Sequence, residues 1–143
     1  MAVNLLARVG DRIQARLDSL GLFNRVSRTV GNQALNNPPS VIFRLLSDAP
    51  EGKLMEQRAA ERRVLTYEIL VIGSALDVGQ GQEKLDSCID AVRETFHLWK
   101  ALPAGCLPSC LGRLELVDEI KNMLVYAAPL EITVFPQALD QKP

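Results

Sequence analysis

The sequence predicts an α+β domain: a mainly antiparallel sheet of four to five strands with two main helices packed on one face. Three observations carry this expectation. Apolar residues recur at three- and four-residue spacing in two segments, which puts them on one face of a helix. They alternate with polar residues in several others, as in strands. The strand-like segments follow one another through turn-rich breaks and do not alternate one for one with helices, which favours hairpin pairing over a parallel sheet.

Residues 3–20 read as the first helix. Leu5, Leu6, Val9, Ile13, Leu17 and Leu20 form its apolar face, Arg8, Arg12 and Arg16 step along another, and Gly21 is the natural stop. Residues 23–30 are β-prone and predict a short strand. The run Asn36-Asn-Pro-Pro39 ends a turn region and biases the chain to extended geometry. Residues 40–46 then read as a strand, with Val41, Phe43 and Leu45 facing one way. Residues 47–62 form a polar break rich in turn formers around Asp48-Ala-Pro-Glu-Gly52, and a flexible loop is expected there.

Residues 63–76 give the clearest strand. Leu65, Tyr67, Ile69 and Val71 line one face, and the far end is apolar on both faces, as in a central strand. Gly79 and Gly81 turn the chain into a second helix over 82–100. Its apolar face carries Leu85, Ile89, Val92 and Phe96, joined by Cys88 and Trp99. Residues 101–112 read as a loop. Residues 113–119 and 124–135 read as two antiparallel strands, and the polar tail 137–143 as frayed. The expected organisation is one domain over 1–143, with the strand order left open.

Composition bounds the function. At 143 residues, 48% apolar and 23% charged, the chain has the balance of an ordinary globular domain. No apolar run approaches the roughly 20 residues that span a bilayer, so no membrane partner is expected. A net charge of −1 gives no general attraction to nucleic acid. The charge is unevenly placed. Residues 1–63 carry ten Lys/Arg and six Asp/Glu, a net of +4; residues 64–143 carry six and eleven, a net of −5. A subunit with one basic and one acidic side can join head to tail, provided that the two halves of the sequence are also halves in space.

A search for chemistry finds no catalytic constellation. His97 has no nucleophile to pair with. Cys88, His97, Cys106 and Cys110 are zinc-ligand types, but Cys88 and His97 lie nine residues apart on one helix and face roughly opposite ways. No metal or other cofactor is expected. The glycines at 79 and 81 lack the further Gly, Lys and Ser/Thr of a phosphate-binding loop. Two charged groups remain as candidate interface residues. Lys53, Arg58, Arg62 and Arg63 make the loop basic without the interleaved aromatic residues that nucleic acid would want. Asp86, Asp90 and Glu94 form an acidic row on the second helix; ordinary solvation explains either group equally well.

The whole pattern resembles the tail terminator (tail-completion, or minor tail) proteins of long-tailed bacteriophages and prophages. The resemblance rests on the opening helix ending Leu17-Asp-Ser-Leu-Gly-Leu-Phe23 and the strand lead-in Asn37-Pro-Pro-Ser-Val41. It continues with Arg63-Val-Leu-Thr-Tyr-Glu-Ile-Leu-Val71, the helix beginning Glu83-Lys-Leu-Asp86, and the late strand pair. It implies a non-enzymatic α+β subunit of a ring, hexameric in this family, that caps the head-proximal end of the tail tube. Such a ring stops tube growth and presents a surface for joining the head. Its implied partners are further copies of itself, the tail tube protein and the connector or neck proteins. Its implied place is the virion, assembled in the bacterial cytoplasm. Another phage neck protein, or a small ligand-binding α+β regulator, are the competing readings.

Overall fold

The structure is a computed structural model that describes residues 5–28, 39–51, 62–74, 80–99, 106, 108–120 and 123–134. In chain order the elements are α1 (Leu5–Leu20), β1 (Arg25–Ser27), β2 (Ser40–Glu51), β3 (Arg62–Ser74), α2 (Gln80–Phe96), β4 (Cys110–Leu111), β5 (Glu115–Ile120) and β6 (Met123–Val134). The fold is α+β as expected, but the sheet has six strands and is mixed. Its order is β1-β2-β3-β6, with β4 and β5 in tandem along the outer edge of β6. β1 runs parallel to β2; all other pairs are antiparallel.

Both helices pack on one face of the sheet. Val9, Ile13 and Leu17 from α1 and Leu85, Cys88, Val92 and Phe96 from α2 meet alternate residues of the strands. From β3 these are Leu65, Tyr67, Ile69 and Val71; from β6 they are Ala128, Leu130, Ile132 and Val134. Period 3.6 in the helices and period 2 in the strands thus converge on one core. The opposite face carries a smaller cluster of Ile42, Ile72 and Val125, which is why the far end of β3 is apolar on both sides.

Each boundary has a local cause. Gly21 ends α1 in the left-handed conformation, at φ 65°, where a side chain would be strained. α2 ends at Phe96, and the buried Ser109 hydroxyl donates to the Phe96 carbonyl at 2.7 Å. That bond satisfies an acceptor that the helix leaves open. Leu98 follows at φ 53°, and its N–H donates to the Ser109 carbonyl while the Ser109 N–H donates to the Trp99 carbonyl. Trp99 folds back on Phe96, ring edge to face at 5.2 Å. Gly73 lets α2 lie close to β3: a Cβ there would fall 2.7 Å from a methyl of buried Leu85.

Pro129 sits inside β6 where a ladder bond would ordinarily be lost. Its carbonyl accepts from the Gly112 N–H at 2.7 Å, on the side away from β3. A residue's N–H and C=O point to the same side of a strand, so the missing proline N–H faces the break between β4 and β5 and costs β3 nothing.

Several expectations are corrected. Residues 47–51 were expected in the polar break but belong to β2, which runs on to Glu51 opposite Arg62. Pro50 is tolerated there because β1 covers only Ser40 to Ile42, leaving the outer edge of β2 without a described neighbouring strand. The rest of the expected loop, residues 52–61, lies outside the described residues, as does the tail 137–143. The second helix ends at Phe96 and not at 100. The region read as a loop over 101–112 contributes β4, and Cys106 makes a single bridge to Val134.

Candidate functional site

The topology sorts charge in space. α1, β1 and β2 lie on one side of β3, while β4, β5 and β6 lie on the other. Among the described residues the early segments and the late strands therefore lie on opposite sides of β3, and their unlike charge is separated in space. Residues 5–28 bring Arg8, Arg12, Arg16, Arg25 and Arg28 against only Asp11 and Asp18. The opposite edge presents Glu115, Asp118 and Glu119 on β5, all exposed.

The expected basic group fares unevenly. Lys53 and Arg58 lie outside the described residues. Arg62 opens β3 opposite Glu51. Arg63 is half-buried and grips Asp48 of β2 with two nitrogens, one at 2.9 Å, so its charge is already answered within the chain. On α2, Asp86, Asp90 and Glu94 are all exposed, turned away from the buried row of Leu85, Cys88, Val92 and Phe96.

The groups weighed for chemistry are dispersed. Cys88 is buried, Cys106 half-buried and Cys110 exposed, while His97 is exposed just beyond α2. Among the described residues no three potential metal ligands cluster. Burial pushes the Cys88 thiol up, and pushes Cys106 up to about 11 despite the nearby Arg8. Both therefore hold their protons at neutral pH and are poor nucleophiles.

A cleft of about 310 Å³ opens between α1 and β2. Leu6 and Gly10 form one wall, Phe43 and Tyr67 the floor, and Arg28 with Leu45 the other side. Arg28 stacks over the Phe43 ring at 5.5 Å and pairs with Asp11 at 3.2 Å. Gly10 makes room for it: a Cβ there would stand 1.7 Å from an Arg28 nitrogen. Arg44, also at the cleft, pairs with Glu68 across the strands at 2.7 Å. Burial pushes the Tyr67 hydroxyl up to about 12; Arg28 opposes that rise, and Asp48 and Cys106 add to it. Sequence reasoning missed this cleft. Its one local signal was Gly10, since glycine inside a helix costs about 1 kcal/mol and asks for a compensating close approach.

At both sides of the sheet, a strand edge with no described neighbouring strand is interrupted. In β2 the register shifts between Leu45 and Ser47, leaving Leu46 as the extra residue, 51% exposed. In β5 it shifts between Leu116 and Asp118, leaving Val117 as the extra residue, 55% exposed. Bulges of this kind twist an edge and re-aim side chains, which blunts backbone pairing with another sheet.

No protein-family model and no curated protein matches the chain. Among solved structures, it is similar to a chain of the native gene transfer agent (GTA) virion particle. The TM-score is 0.55 at 17% identity, covering 91% of this chain and 93% of the other. At that identity the likeness establishes a shared fold over nearly the full length of both chains. Among the described residues, no helix is long and apolar enough to cross a membrane.

Proposed function

We propose that this chain is a structural component of a phage-type virion, and that it works as a ring subunit closing the head-proximal end of a tail tube. The ring, six-membered by the resemblance noted above, stops addition of tube subunits and offers its other face to the neck. The subunit performs no reaction and needs no cofactor. One observation carries the reading: its fold is similar to that of a virion chain over 91% of its length and 93% of the other's.

The unlike edges support the ring. A closed ring of identical subunits needs two different, complementary surfaces on each copy. A basic α1 edge and an acidic β5 edge on opposite sides of one sheet meet that requirement. The row Asp86, Asp90 and Glu94 on α2, Arg62 and Arg63 at the start of β3, and Lys53 and Arg58 outside the described residues are further candidate contacts with the tube or neck.

The test is a tube-growth assay. The purified chain is titrated into polymerising tail tube protein, and tube lengths are measured by electron microscopy. Tubes should shorten and carry a terminal ring. Tubes of unchanged length at saturating protein overturn the reading. Light scattering gives the companion measurement: a mass near six times 15.8 kDa indicates that the ring forms alone.

A further inference from the structure

We infer that the bulged β5 edge of one copy seats on the β2 bulge beside the α1/β2 cleft of the next, so that Leu116 and Val117 cover Leu45 and Leu46. The inference rests on the ring reading and names its interface. Four large apolar side chains stand exposed in two adjacent pairs: Leu45 at 38% and Leu46 at 51% on β2, Leu116 at 51% and Val117 at 55% on β5. Each pair sits at a bulge, and each bulge lies on an edge with no described neighbouring strand. The two edges are at opposite ends of the strand order. A contact between them is therefore head to tail and leaves a free edge on each partner for the next copy.

Charge gives the pairing its direction. Leu116 and Val117 are bracketed by Glu115, Asp118 and Glu119, all exposed. Leu45 shares the cleft with Arg28, whose side chain stays 41% exposed in spite of its ion pair with Asp11, and Arg44 precedes it on the other face of β2, 47% exposed beside Glu68. The Arg28–Asp11 pair is exposed on both sides and therefore weak, so Arg28 can turn to an arriving carboxylate at little cost. Like edges repel: β5 against β5 sets acid against acid, and cleft against cleft sets arginine against arginine. Because bulges interrupt both ladders, recognition falls to these side chains and not to an added run of backbone bonds.

The test uses two variants that each disable one side. Leu46→Asp spoils the β2 bulge and keeps β5; Val117→Asp spoils β5 and keeps the β2 bulge. Both positions are exposed, so melting temperatures near wild type are the check that each variant folds. Leu45→Asp and Leu116→Asp serve as replacements if either does not. By sedimentation, each variant alone should lose self-association, with a dissociation constant raised about 30-fold or more. An equimolar mixture of the two should form one-to-one dimers and stop there, because only one productive contact remains. Variants that assemble like wild type overturn the inference, and so does a mixture of folded variants that stays monomeric. A wild-type chain that is monomeric up to about 1 mM also overturns it. That last result leaves the virion reading standing, because the tube-growth assay does not require the ring to form alone.

Discussion

Gly73 fixes the height of α2 above the sheet, and the energetic consequence can be worked out. In Gly73→Ala the new methyl would lie 2.7 Å from one Leu85 methyl and 3.1 Å from two further Leu85 carbons. Leu85 is 1% exposed, so it can yield only by moving against the core it packs in. Overpacking of this kind costs about 1–3 kcal/mol. For a domain of this size that is a fall in melting temperature of about 3–4 °C per kcal/mol, so about 7 °C at the midpoint. Leu85→Ala alone leaves a cavity and costs about 2–5 kcal/mol. The two changes should not add. With Leu85 shortened, the methyl at 73 meets no obstacle and fills part of the hole. The double variant should therefore be more stable than the sum of the singles predicts by at least about 1 kcal/mol. Urea denaturation of the four proteins, with one m-value across the set, measures the cycle. Additivity within about 0.5 kcal/mol would falsify the close approach of β3 and α2 at this point.

Other positions give contrasting outcomes. Gly10→Ala should change stability by less than about 0.5 kcal/mol despite its clash, because helix propensity gains about what the displaced Arg28 loses over Phe43 and at Asp11. Gly112→Ala meets the stiff Pro129 ring at 2.6 Å and should cost about 1–3 kcal/mol by the same urea assay. Ser109→Ala removes the buried bond to the Phe96 carbonyl and should also cost about 1–3 kcal/mol; a cost under half that would show the carbonyl is satisfied without it. Tyr67 titrates at about 12 in the fold against 10.0 unfolded, so its contribution is complete below pH 10 and falls as pH rises toward 12. The loss should reach no more than about 2 kcal/mol, seen as a flatter melting-temperature profile above pH 10 in Tyr67→Phe than in wild type. Parallel profiles would remove the phenol from the account.

Much of the fold was legible because local pattern and tertiary demand agreed. In α1 the apolar spacing, the arginine row and the Gly21 stop all point one way, and the helix ends at Leu20. In β3 and β6 alternation placed Leu65, Ile69, Leu130 and Ile132 inward, where they are buried. Legibility failed where partners decide. Ser47 to Glu51 carry turn-forming residues, yet the pairing with Arg62 to Thr66 holds them extended. β4 has two residues, too few for any period to show, and exists because β6 offers it an edge; β1, expected within residues 23–30, was legible from its β-prone residues but not its parallel pairing with β2. The candidate site was half legible. Uneven charge along the chain was plain, but it became two edges only because the strand order keeps early and late segments apart. The cleft was hidden, since Gly10, Arg28 and Phe43 meet only in the fold. The interface role expected of Arg63 has to reckon with Asp48, which nothing in their 15-residue separation announced.

The clasp between Trp99 and Ser109 has an evolutionary consequence. Ser109 is the knot of that clasp: its hydroxyl holds the Phe96 carbonyl, its carbonyl holds the Leu98 N–H and its N–H holds the Trp99 carbonyl. The two backbone bonds ask nothing of the side chain, but the buried hydroxyl admits only a residue that is small and can donate. Pro108 and Cys110 on either side are exposed and carry no such demand. Sequence drift in this stretch should therefore flow around position 109, changing the surface offered to a neighbour while the end of α2 stays pinned.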